Sequence, residues 1–94
     1  MARKPPAGAA YAPAPYDIAD IGAVQALARG DAEPHQQQRA LRWIIEVVAG
    51  AYDASYRPDS ERDTCFAEGR RYVGNTIIKA TKLNTQLLKA KPNG

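Results

Sequence analysis

The sequence predicts an all-α fold: a short helix followed by a long antiparallel helical hairpin, preceded by an extended Pro/Ala-rich N-terminal arm. Three observations lead there. Apolar residues recur at three- and four-residue steps through three segments, and no alternating strand-like pattern extends beyond four residues. Helix punctuation separates the segments, at Gly30-Asp31 and again at Arg57-Pro58-Asp59-Ser60. Four prolines (Pro5, Pro6, Pro13, Pro15) crowd the first fifteen residues, where each fixes its own φ and disfavours helix for the residue before it. No internal repeat is present, and no heptad register is evident over three turns.

The elements follow in order. Residues 1–16 form the arm. Asp17 caps a helix over 18–29, with Asp20 three residues on favouring the positive end of the dipole. Ile18, Ile21, Val24, Leu27 and Ala28 give this helix its apolar stripe, and Gly30 ends it as a C′ residue. Asp31-Ala32-Glu33-Pro34 starts a second helix, expected over 34–56, since proline is tolerated in the first turn. Leu41, Ile44, Ile45, Val48 and Tyr52 form its core stripe. Ala40, Trp43, Val47, Ala51 and Ala54 form a second apolar face, which helix one or another subunit must cover. Ser60, with Asp63 at capping-box spacing, opens a third helix over 61–88. Its apolar seam is Phe66, Val73, Ile77, Ala80, Leu87 and Leu88. Residues 17–90 thus make one helical domain, and 91–94 a frayed tail.

Size limits what such a domain can do alone. About 75 residues remain for a core, and a single core of that size supplies only about 3–5 kcal/mol. The lone Cys65 excludes an intrachain disulfide staple and fits a reducing compartment. Oligomerisation is the natural substitute, with Trp43, Val47 and Gly50 as the expected interface. No apolar run approaches the roughly 20 residues of a membrane span, so no membrane partner is expected.

Charge is divided unevenly. Residues 1–69 carry seven Lys/Arg against ten Asp/Glu, whereas 70–94 carry six Lys/Arg and no acid. Arg71, Lys79, Lys82 and Lys89 are expected on one side of the third helix, where a basic stripe points at DNA or an acidic protein partner. Four cations are modest for a duplex binder, and a solvated surface explains such a stripe equally well. Arg70 falls at the edge of the apolar seam and is expected to be structural, pairing with Glu46 or Asp53. Gly69 and Gly74, each costing about 1 kcal/mol in a helix interior, are expected to admit close neighbours.

No catalytic residues are expected. His35 has no second ligand and no nucleophile to serve, and Cys65 has no base placed near it. Neither a metal, a cofactor nor a small-molecule substrate is implied.

One stretch has the character of a signature. Phe66-Ala67-Glu68-Gly69-Arg70-Arg71-Tyr72-Val73-Gly74 resembles a family of small tailed-bacteriophage proteins with a Phe-x-Glu-Gly-Arg-Arg-x-Val-Gly helix, encoded among the packaging, portal and head genes of short-tailed phages. The resemblance spans roughly residues 43–82 and maps Phe66, Glu68, Gly69, Arg70, Arg71, Val73 and Gly74. It implies a non-enzymatic virion structural protein, multi-copy in the portal–tail region or among internal, ejected proteins. Partners would be copies of itself, other virion proteins and DNA, with residence in the virion and, during assembly, the host cytoplasm. The alternatives are a DNA-packaging accessory of the small-terminase kind and a generic helical adaptor for an acidic protein.

Overall fold

The structure, a computed structural model, describes residues 12–90. Those residues are all-α: α1 spans Ile18–Arg29, α2 Pro34–Arg42, α3 Glu61–Lys82 and α4 Thr85–Ala90, with no strand among them. A π-helical turn, Trp43–Val48, continues α2 directly. Of the expected arm, residues 12–16 are non-helical, while 1–11 and the expected tail at 91–94 lie outside the described residues.

The first helix has the expected bounds and caps. The Asp17 amide donates to Asp20 Oδ2 at 2.9 Å. Gly30 takes the left-handed conformation at φ 84°, and its amide closes the helix on Ala26 and Leu27 carbonyls. Pro34 opens α2, and the Glu33 amide donates to Gln36 Oε1 at 2.9 Å.

The second helix is shorter than the expected 34–56. It widens into the π turn, where the Ala49 amide reaches the Ile44 carbonyl at 2.9 Å, and stops before Gly50 at φ 60°. A connection of twelve residues, 49–60, leads to α3. Its fastening is local: the Arg57 amide donates to Thr64 Oγ1 at 2.8 Å, and Ser60 Oγ caps α3 by accepting from the Asp63 amide at 3.1 Å. The third helix ends at Lys82 instead of 88, because Leu83 leaves the helical region at ψ 141°. Asn84 Oδ1 then accepts from the Gln86 amide and restarts the chain as α4.

Packing follows the expected stripes only in part: Ile45, Ala40 and Ala51 are buried and Ile21, Val24, Ile44 and Ile77 half-buried, but other stripe residues face outward. In α1 the buried residues are Ala23 and Ala26, while Ile18 is 89% exposed. In the second helix Ala40 and Ile45 are buried, and Ala49 and Ala51 just beyond it, but Leu41, Val48 and Tyr52 are exposed. In α3 only Ala67 and Gly74 are buried, with Phe66 and Val73 about half exposed and Ala80 outward. The physical reason is close approach: small side chains let helix axes come together, and the larger residues are then carried to the outside. α1 packs on α2 and the π turn packs on α3.

Candidate functional site

Two residues of the signature, Arg70 and Gly74, meet the end of the second helix and the connection that follows it. A helix leaves its last carbonyls without intrahelical donors, and Val47 and Val48 are such carbonyls here. Arg70 supplies the donors from α3: Nε to the Val48 carbonyl at 3.0 Å and Nη2 to the Val47 carbonyl at 3.2 Å. A cation also suits the negative end of the helix dipole. Asp53 Oδ2 lies close by, since it and Arg70 Nη2 are each 3.2 Å from where a Cβ on Gly50 would sit. The structural role expected for Arg70 is met by these backbone carbonyls, with Asp53, one of the two expected carboxylates, close by.

The two glycines of the signature part company. A Cβ on Gly74 would lie 2.8 Å from Ala51 Cβ and 2.9 Å from Ala49 Cβ, so the missing side chain is what seats the connection on α3. Nothing lies within 4 Å of the corresponding position on Gly69. The close neighbour expected for Gly69 is therefore not part of this chain's described residues.

Glu68 and Arg71 form an ion pair at 3.0 Å. A hydrogen bond from Ser55, then that from Arg71, holds the Glu68 carboxyl below its ordinary value. Arg71 is thus charge-compensated, and its Nε is buried without a hydrogen-bond partner. The expected basic stripe divides. Arg71 and Lys79 line a shallow depression of about 200 Å³ with Glu68, Tyr72, Asn75 and Thr76. Lys82 instead lines, with Arg42, Glu46 and Ile78, an open groove of about 350 Å³ between α2 and α3. Lys89 stands on α4, beyond the break at Leu83-Asn84.

The expected interface residues are also spread. Trp43 is half-buried and its Nε1 donates to the Pro15 carbonyl at 2.9 Å. Val47 lies beside it, facing Pro15 and Tyr16. The chain entering α1 thereby covers part of the second apolar face. Gly50 is buried beneath Arg70, so it belongs to the chain's own packing and not to an outward surface.

A third polar cluster was not singled out by spacing. Arg39 Nε donates to Asp20 Oδ1 at 2.8 Å, with Asp17 Oδ2 at 3.6 Å from Nη2, tying α2 to the start of α1. The Asp17 backbone amide, then Arg39, holds the Asp20 carboxyl low. The signal available in sequence was only that both acids of the α1 cap must face something.

What the arrangement offers chemically is surface. Among the described residues no group of three or more His, Cys, Asp or Glu side chains is placed to hold a metal. No helix among them is long and apolar enough to cross a membrane. Among the described residues thirteen large apolar side chains are exposed, from Tyr16 to Leu88, against a core of six alanines and Ile45. No protein family, curated protein or solved structure matches the chain.

Proposed function

We propose that this chain is a non-enzymatic structural protein of a phage virion, acting by multi-copy assembly at the portal–tail region or as an internal protein released with DNA. One observation carries the assembly reading: the large apolar side chains lie outside and the alanines inside. A polypeptide that buries so little of its apolar material is completed by neighbours. The virion as the place of assembly rests on the Phe66-to-Gly74 signature and its resemblance to short-tailed phage proteins. In this reading the helical hairpin is the body, and the Pro/Ala arm straps a neighbour.

The DNA-packaging accessory draws less support, because Arg71 is paired with Glu68 and Lys89 stands on α4, beyond the break that ends α3. Quantitative mass spectrometry of purified, DNA-filled particles tests the reading. Stoichiometric copies are the expected result. Absence from particles together with abundance in infected-cell lysate would overturn it in favour of the accessory.

A further inference from the structure

Three depressions among the described residues differ in charge. The one between α2 and α3 is lined by Arg42 and Lys82 against Glu46, and the one on α3 by Arg71 and Lys79 against Glu68. The third, of about 200 Å³ where the chain enters α1, is lined by Asp17 and Asp20 with Pro15, Tyr16, Trp43 and Val47, and by no cation. Arg39 reaches the two carboxylates from α2, Nε to Asp20 at 2.8 Å and Nη2 to Asp17 at 3.6 Å, so one guanidinium answers two acids. The side chain of Asp17 remains 83% exposed. Tyr16 is exposed and Trp43 half-buried, so aromatic surface stands beside the acids.

An acidic, aromatic depression suits a segment that is basic and proline-rich: carboxylates take the cations and aromatic faces take the prolines. The N-terminal arm is such a segment. Residues 1–16 hold Arg3 and Lys4 and no acid, and Pro5-Pro6 follow at once. At the other end of the chain Lys91-Pro92 offers a single proline, a poorer fit. Resting on the assembly reading above, we propose that Arg3-Lys4-Pro5-Pro6 of one copy docks in this depression on a neighbouring copy, Arg3 and Lys4 against Asp17 and Asp20, the two prolines over Tyr16 and Trp43. The arm's length and stiffness select a neighbour. Lys4 stands eleven positions before Pro15. Proline-rich segments act as semi-rigid spacers of about 3.1 Å per residue, which sets the basic pair roughly 35 Å from the chain's own depression. Trp43 holds the Pro15 carbonyl at 2.9 Å and so anchors the base of the arm. Every copy gives an arm and receives one, the head-to-tail kind of contact that builds a ring where its rotation closes.

Trp43 is the one tryptophan of the chain and lines the site, so its fluorescence reads the contact directly. Acrylamide quenching of Trp43 in the full chain, followed across protein concentration beside light scattering, tests the proposal. Quenching should weaken at least about twofold as copies associate, since prolines packed on an indole shield it. Arg3→Glu with Lys4→Glu should abolish that protection and leave helical circular dichroism unchanged, because both residues lie in the arm. Asp17→Asn keeps a capping side chain, removes the charge and should lower protection in the same direction. Association whose protection either variant retains in full overturns this contact and leaves the assembly reading standing. Protection that the variants lose, but that is equal at every concentration, puts the arm on its own chain and overturns the contact between copies. A monomer at all concentrations overturns the contact and the assembly reading together.

Discussion

Arg70 shows how much one side chain can settle. It stands at the edge of an apolar seam, where charge is costly, and gives its donors to two carbonyls that the end of the second helix leaves open. Hydrogen bonds from charged groups contribute about 1.5–3 kcal/mol each. Arg70 is only partly buried, so Arg70→Met should lower the unfolding free energy by about 2 kcal/mol in total, read by urea denaturation. Arg70→Lys should recover less than half of that, since a single ammonium cannot reproduce the planar fork. The carboxyls make a second prediction at this scale. Asp20 and Glu68 are held below their ordinary values of 3.8 and 4.5. Their contribution is therefore present above the unfolded values and lost as pH falls through the lower folded ones. Thermal stability should be level above about pH 5 and decline in acid. In Asp20→Asn that decline should be shallower, and an unchanged slope would remove Asp20 from the account.

At the scale of elements, contact between helices is made through small residues. Gly74→Ala would push a methyl group to 2.8 Å from Ala51 Cβ, and backbone must move to admit it. Its cost should be about 1–3 kcal/mol, visible as a lowered denaturation midpoint. The same view shows what could be read from the chain beforehand. The caps at Asp17, Pro34 and Ser60 and the stop at Gly30 were legible, because each acts through its own neighbours in sequence. The early stop of the second helix was not. Gly50 leaves the helix at φ 60° beneath the side chain of Arg70, a residue 20 positions further along the chain. The inward faces were misread for a related reason. Periodicity counts hydrophobicity, whereas close helix approach selects for smallness, so in α1 Ala23 and Ala26 took the inward places expected of Ile18 and Leu27. Arg70 and Gly74 were recognisable as special residues, but the carbonyls that Arg70 reaches and the Ala49 and Ala51 side chains against Gly74 were not, since neither kind of contact leaves a pattern in local spacing.

At the scale of the whole molecule, the buried core among the described residues is small in volume, six alanines and Ile45. Such a body should depend on its neighbours for stability. Its melting temperature should therefore rise with protein concentration, as it does when association is linked to folding. Differential scanning calorimetry across a hundredfold concentration range checks this. A concentration-independent transition would mean that the alanine core is sufficient by itself.

The reach of Arg70 back to Val48 also has a consequence in time. During synthesis the first two helices can meet as soon as Arg39 is available to Asp20. The end of the second helix cannot be completed then, because its donors are encoded 22 residues later. At about 5–20 residues per second, that interval is roughly one to four seconds. For that time the nascent chain carries a joined helix pair with an unfinished end, and the arrival of one arginine closes it.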